Sequence, residues 1–179
     1  YSKQAENKLR KKEGLVILKL GNFKLNKFET KQTLFGDIKQ KVSDLKINKN
    51  FFISKAYKKN SKKIIEELIF ATKVVKHLKS NAIVLASNKQ TVGIGTGQTN
   101  RIDSLQIALK NYKQNFKERK FVCISDGFFP FTDSLKLLNK NKCKVVAQPS
   151  GSIRDLENIK YAIKNKMSLY FLKNRLFRH

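Results

Sequence analysis

From Ser61 onward, short runs rich in Ile, Val and Leu take turns with longer stretches whose apolar residues recur at three- and four-residue steps. Nothing else in the chain restricts its fold as much. Ser61 can cap a helix whose apolar positions Ile64, Ile65, Leu68, Ile69, Thr72, Val75 and Leu78 carry it to about Lys79. Ala82 to Ala86 and Thr91 to Ile94, separated by Ser87, Asn88, Lys89 and Gln90, read as a β-hairpin. Gly93-Ile-Gly-Thr-Gly97 then leads into a second helix, capped by Asn100 with Asp103 three residues on, and buried along Ile102, Leu105, Ala108, Leu109 and Tyr112. A strand (Phe121 to Ile124), a helix (about Asp133 to Leu138), a strand (Lys144 to Ala147), a helix (Asp155 to Lys164) and a strand (Ser168 to Leu172) follow. This alternation predicts an α/β fold, a sheet with helices on both faces that is mostly parallel after the opening hairpin. In such sheets ligands bind beyond the strand carboxyl ends, which here carry Gly-rich and polar turns.

Upstream the signal is weaker. Ser2 to Lys12 reads as a helix, Leu15 to Leu20 as a buried strand ended by Gly21, and Phe23 to Phe35 as a segment of weak strand character. Residues 36 to 60 are polar and Lys-rich around the patch Phe51, Phe52 and Ile53, and read as a connection.

At 40% hydrophobic and 10% aromatic the 179 residues hold enough apolar side chains for a sizeable core, which excludes disorder for most of the chain. No apolar run approaches the roughly 18 to 20 residues of a membrane helix. The first fourteen residues are polar and basic, unlike a secretory leader. Cys123 and Cys143 lie twenty positions apart without a CxxC, so no disulfide framework or closed zinc site can be read, and a reducing cytoplasm is the expected setting.

A net charge of +26 first suggests nucleic acid. Yet 33 of the 39 basic residues are Lys and six are Arg, whereas base-edge readers lean on the planar Arg fork. Residues 1 to 60 hold sixteen basic and five acidic side chains, so the excess is spread along the chain with no basic tail. Sixteen Asn accompany the Lys, as expected of compositional drift into solvated positions.

Three turns could carry chemistry. Gly93, Gly95 and Gly97 follow a strand and precede a helix, where backbone amides can approach an anion, or where glycine serves a tight turn. Gln98 breaks the dinucleotide pattern and no Walker Lys-Ser/Thr follows. Arg101 stands in the first helical turn, which the helix dipole disfavours unless something anionic lies opposite. Ser125-Asp-Gly-Phe-Phe-Pro-Phe-Thr-Asp133 holds three Phe that neither periodicity explains; they plug the core or line a pocket for a flat ring. Asp126 and Asp133 could pair with ring nitrogens or serve as turn and cap residues. Pro149-Ser-Gly-Ser-Ile-Arg-Asp155 suits a polar or anionic ligand, or a helix cap at Ser152. His77 reads as a surface or half-buried packing residue, and no HxE with PCxxC signature of a zinc deaminase exists.

Lys79-Ser-Asn-Ala-Ile-Val84, Gly93-Ile-Gly-Thr-Gly-Gln98, Ser125-Asp-Gly-Phe-Phe-Pro-Phe131, Pro149-Ser-Gly-Ser-Ile-Arg-Asp155 and Arg175-Leu-Phe-Arg-His179 stand in one order over about a hundred residues. Together they closely resemble the C-terminal part of the bifunctional purine-biosynthesis family. Its members join 5-aminoimidazole-4-carboxamide ribonucleotide (AICAR) transformylase to IMP cyclohydrolase. The match runs from about Ile64 to His179, while Lys31-Gln32 replaces the family's paired glycines.

The resemblance implies a three-layer α/β/α cytidine-deaminase-like unit with a mixed sheet and no zinc, preceded by the end of a second similar unit. Residues 1–60 would then be the tail of the first transformylase subdomain and a connection, and residues 61–179 the second subdomain. It implies formyl transfer from 10-formyltetrahydrofolate to AICAR, in a cytoplasmic homodimer that needs no membrane and no specific nucleic acid. Carried over by position, Asn81, Arg101, Phe128 and Arg175 would bind the ribonucleotide. Ile102, Asp133, Ser152, Ile153 and Phe131 would bind the folate, while Phe177 and His179 match pocket residues, His179 as the candidate catalytic one. The family's Lys-His pair lies in a KHxNP-like segment that this sequence lacks; Lys76-His77 is the same dipeptide in another context. Asn100 and Thr132 replace a Ser and an Arg usual in the family. These departures imply a C-terminal portion that is inactive alone. The alternatives are a non-catalytic nucleotide-binding remnant or a basic nucleic-acid-binding protein.

Overall fold

The computed structural model describes residues 2–18, 21, 28–41, 45–57, 61–116 and 120–178. They fall into two compact units, Tyr1–Leu45 and Lys46–His179.

In the first unit, helix α1 (Lys3–Arg10) starts where Ser2 Oγ accepts from the Ala5 N–H, and Glu6 pairs with Arg10 one turn on. Strands β1 (Phe28–Thr33) and β2 (Gly36–Lys41) form an antiparallel hairpin around Leu34 and Phe35, with Gly36 at φ 120°. The strand expected at Leu15 to Leu20 is absent over residues 15–18, where Val16 and Leu18 are largely exposed. No described strand offers that run a partner, and an apolar sequence becomes a strand only when a neighbour takes its hydrogen bonds. Lys19 and Leu20, and residues 23–27 of the next expected segment, lie outside the described residues.

The reading of residues 36 to 60 as a connection is corrected. They hold β2 and, after a short 3-10 turn at Lys49–Phe51, strand β3 (Phe52–Ala56), an edge of the second unit's sheet. An edge strand has one partner and keeps Lys55 toward water, so its sequence stays too polar to stand out.

The second unit continues with α2 (Lys62–Val75), β4 (Ile83–Ser87), β5 (Gln90–Gly95), α3 (Arg101–Asn115), β6 (Val122–Ser125), α4 (Asp133–Lys140), β7 (Val145–Pro149), α5 (Asp155–Lys164) and β8 (Ser168–Leu172). The expected elements all form, with α2 ending before Lys76. Ser61 Oγ accepts from the Ile64 N–H and Asn100 Oδ1 from the Asp103 N–H, so both anticipated caps are made. The sheet runs β3-β8-β7-β6-β4-β5, parallel between β6, β7 and β8 and antiparallel elsewhere.

From β5 to β8 each crossover moves the same way across the sheet, so right-handed connections put α3, α4 and α5 on one face. There Ile83, Leu85, Cys123, Val146 and Leu169 meet Leu105, Leu135, Leu138 and Ala162 in one buried cluster. Burying each such leucine contributes about 1.5–3 kcal/mol. Helix α2 takes the opposite face against β4 and β6, burying Leu68, Ala71 and Val75, and the fold is a three-layer α/β/α unit with a mixed sheet. Asn88 and Lys89 turn the β4–β5 hairpin with positive φ at both positions, and the Lys89 N–H donates to the buried Glu67 carboxylate at 3.0 Å.

This topology sends the carboxyl ends of β5, β6, β7 and β8 and the amino end of antiparallel β4 to one edge of the sheet. All three turns singled out in the sequence lie there.

Candidate functional site

The glycines settle first. A Cβ on Gly93 would overlap the Ala108 carbonyl oxygen, and one on Gly95 the Ser104 carbonyl oxygen. They let α3 lie directly on β5, a packing role. Only Gly97 needs its conformation, at φ 69°, as the chain turns into the helix. The Gly97 N–H donates to the Lys79 carbonyl at 2.8 Å, which draws the turn onto the start of β4.

With α3 so placed, Arg101 projects from its first turn toward the β6 end. Its Nη1 donates to the Phe128 carbonyl at 3.0 Å; its Nη2 donates to Asn81 Oδ1 at 2.6 Å and to Asp126 Oδ1 at 3.2 Å. Asp126 is fully buried and Arg101 nearly so. The anion required opposite a cation at this helix end is therefore a carboxylate of the protein itself.

Asn81 is equally committed. Its amide nitrogen donates to the Gln98 and Thr99 carbonyls, both at 3.0 Å, and its own carbonyl accepts from Ser104 Oγ at 2.8 Å. It ties the Gly-rich turn, α3 and Arg101 to the amino end of β4. The Ser80–Asn81 peptide bond is cis.

The three phenylalanines divide between the two alternatives. Phe129 is a core plug with no exposed surface. Phe128 is half-buried and its ring lies 5.2 Å from the Arg175 guanidinium carbon. Phe131 is 49% exposed under the Arg154 guanidinium at 4.6 Å.

The chain after β8 closes the site. The Leu176 N–H donates to the Asp126 carbonyl at 3.0 Å, and the Arg178 N–H to Ser80 Oγ at 3.0 Å. Phe177 thereby comes beside Arg101 and Arg175, at 5.8 and 5.9 Å. Arg175 is exposed, flanked by the Phe128 and Phe177 rings and near Gly151, and among the described residues no carboxylate pairs with it. With Arg101 and Asp126 cancelling, Arg175 leaves the site a positive charge for an anionic group.

Other expected residues are placed less centrally. Ile102 packs against the core beneath α3. Asp133 is exposed at the start of α4, its Oδ1 accepting from the Ser134 N–H and its other oxygen without a partner among the described residues. Ile153 is fully exposed. Ser152 does not cap α5: its Oγ accepts from the Arg154 N–H, while Asp155 Oδ2 accepts from the Gly151 N–H at 2.8 Å and fixes that turn. His179 lies outside the described residues, and His77 is exposed beyond the end of α2. Among the described residues no set of His, Cys, Asp and Glu is arranged to hold a metal, and no helix is long and apolar enough to cross a membrane.

Sequence reasoning missed Asp126 as the partner of Arg101, and missed Gln148 and Asn158 entirely. The Phe129 N–H donates to Gln148 Oε1 at 2.8 Å, and Asn158 Nδ2 donates to the Phe129 carbonyl at 2.9 Å. A signal existed for Gln148, a polar residue in an otherwise apolar buried strand.

Comparison with known proteins gives the following. Residues 1–111 match the family model described as AICARFT/IMPCHase bienzyme. The chain is 39% identical over its whole length to the bifunctional purine biosynthesis protein PurH of Oenococcus oeni, of which it spans 36%. It is 37% identical over its whole length to PurH of Prochlorococcus marinus, spanning 35%, and 48% identical over 68% of its length to PurH of Caldicellulosiruptor bescii, spanning 23%. The similarity thus reaches the first sixty residues, beyond the stretch where the quoted motifs stand. The chain spans about a third of the length of the first two relatives.

Proposed function

Because the chain belongs to the AICARFT/IMPCHase bienzyme family, we propose that its sheet-edge site takes part in formyl transfer from 10-formyltetrahydrofolate to AICAR in purine synthesis. The observation carrying this reading is the convergence of Asn81, Arg101, Phe128 and Arg175, contributed by four separate segments, on one edge of the sheet. A ribonucleotide offers an anionic phosphate, a flat base and a carboxamide. Arg175 supplies a cation without a carboxylate partner among the described residues, the Phe128 and Phe177 rings supply flat walls, and the Asn81–Arg101–Asp126 cluster supplies fixed polar groups.

The folate would occupy the neighbouring turns. Phe131 offers a half-exposed ring face, Ser152 and Ile153 line the next loop, and the free oxygen of Asp133 can accept from an amino edge of the pterin. The folate supplies the formyl carbon. The 5-amino group of AICAR, weakened by conjugation with ring and carboxamide, must be held against that carbon, lose a proton and meet stabilisation of the tetrahedral oxyanion. The residues named here bind and orient. The acid–base pair belongs to a KHxNP-like context that these 179 residues do not contain.

In this reading residues 61–179 form the second transformylase subdomain, which lies with residues 46–60 in one compact unit, and the active protein is a cytoplasmic homodimer. A second reading, a nucleotide-binding remnant without turnover, is favoured by Asn100 and Thr132, which stand where the family usually has a Ser and an Arg. One experiment separates them: AICAR binding to the chain by calorimetry, then formyl transfer after fusing the chain to the upstream part of the Oenococcus oeni relative. Binding with turnover in the fusion supports the first reading, and binding without turnover the second. Absence of binding in both chain and fusion rejects both.

A further inference from the structure

We infer that Gln148 and Asn158 are positioning residues of this site, acting through the backbone of Phe129 on the peptide that holds Arg101. Gln148 is the next-to-last residue of the buried strand β7 and Asn158 lies on the buried side of α5, and neither has exposed surface. Between them they satisfy both polar groups of the Phe129 backbone.

The orientation of each amide follows from chemistry. A backbone N–H needs an oxygen, so Gln148 must turn Oε1 toward Phe129; a backbone C=O needs a donor, so Asn158 must turn Nδ2. Their opposite ends, Gln148 Nε2 and Asn158 Oδ1, find no partner among the described residues. A buried amide with one end unpaired is costly, and apolar side chains of similar shape would pack better if Phe129 had no need of them.

The link to the site is covalent and stiff. The Phe129 N–H and the Phe128 C=O belong to one planar peptide. Gln148 accepts from one end of it at 2.8 Å, and Arg101 Nη1 donates to the other at 3.0 Å. Gln148 therefore sets the plane of the peptide that receives Arg101, and hydrogen bonds in such a chain polarise one another. Asn158 fixes the following peptide at the Phe129 carbonyl. Together they limit how far Phe128, whose ring faces Arg175, can rotate.

What the site binds rests on the preceding reading; the positioning does not. The test uses the 179-residue chain with Gln148→Leu, Gln148→Glu, Asn158→Leu and Asn158→Asp at pH 8. Three quantities are measured: AICAR affinity, NMR hydrogen exchange at Arg101 Nε, and reactivity of the buried Cys123 and Cys143 thiols as a check on folding. Both Leu variants should bind AICAR about tenfold more weakly, with faster Arg101 exchange and unreactive thiols. Gln148→Glu should bind close to the unchanged chain, because a carboxyl oxygen still accepts from the Phe129 N–H. Asn158→Asp should fail as Asn158→Leu does, because a carboxylate cannot donate.

Leu variants with unreactive thiols, unchanged affinity and unchanged exchange overturn the proposal. So does a Gln148→Glu chain that keeps its thiols unreactive yet performs as poorly as Gln148→Leu. Should the Leu variants unfold, the contrast between the Glu and Asp variants decides. Should the unchanged chain itself not bind AICAR, the functional reading is what has failed, and Arg101 exchange still judges the positioning.

Discussion

Arg101 and Asp126 meet at 3.2 Å with 11% and 0% of their side chains exposed, and the nitrogen that makes this pair also donates to Asn81 at 2.6 Å. Removing one partner strands the other charge in a dry setting. Arg101→Ala and Asp126→Ala should each destabilise the second unit by about 3–5 kcal/mol, whereas the paired change Arg101→Met with Asp126→Leu should recover much of that loss. Urea unfolding followed by circular dichroism measures all three. A loss below about 1 kcal/mol for either single variant would place the pair among solvent-screened contacts. AICAR affinity should fall in all three, the paired variant included, which separates binding from stability.

Gly95 provides a purely steric test. Its missing Cβ is replaced in space by the Ser104 carbonyl oxygen, a backbone atom that cannot swing aside. Gly95→Ala should push α3 off β5, cost about 1–3 kcal/mol or more, and weaken AICAR binding by carrying Arg101 with the helix. Gly97→Ala meets only the Lys79 side chain, at an ordinary contact distance of 3.9 Å, but must adopt φ 69°, and should cost only about 1 kcal/mol. Equal losses at the two positions would contradict the assignment of Gly95 to packing.

The contrast between these two glycines shows what the sequence could and could not reveal. Element order from Ser61 was legible because period-2 and period-3.6 patterns are local, and caps such as Ser61 and Asn100 depend only on near neighbours. The roles of Gly95 and Asp126 were not, because each is set by a partner that is distant in sequence and brought close by folding. Arg101 lay between these cases: its unfavourable place on the helix dipole announced an opposing anion, while the identity of that anion required the β6 loop. Strand β3 escaped because an edge strand in a Lys-rich chain loses its apolar alternation. Residues 15–18 erred the other way, apolar in sequence but without a described strand to pair with.

The three phenylalanines should separate stability from binding. Phe129→Ala empties a fully buried position and should cost about 3–5 kcal/mol. Phe131→Ala, half exposed, should cost below about 1 kcal/mol and act on folate affinity instead. Phe128→Ala should chiefly weaken AICAR binding by removing the ring beside Arg175. Thermal melts and two calorimetric titrations give the pattern, and a Phe131→Ala chain melting as early as Phe129→Ala would contradict the division.

The thiols give a pH prediction whose sign can be worked out. Burial pushes the Cys143 thiol up from 9.0 to about 12, against smaller lowering effects of the Val145 backbone and Lys144; burial, and then the neighbouring Cys143, raises Cys123 as well. The folded chain therefore keeps protons that the unfolded chain releases. This contribution to stability is complete below about pH 9 and is lost as pH rises toward 12, at about 1.4 kcal/mol per pH unit for each thiol at the steepest. The informative quantity is a difference between two chains. A chain carrying both Cys123→Ala and Cys143→Ala should lose stability less steeply between pH 9 and 11 than the unchanged chain. In the unchanged chain both thiols should resist a disulfide reagent at pH 8 until urea unfolds the sheet. Identical slopes in the two chains, or rapid thiol reaction in the native state, would contradict the burial of both thiols.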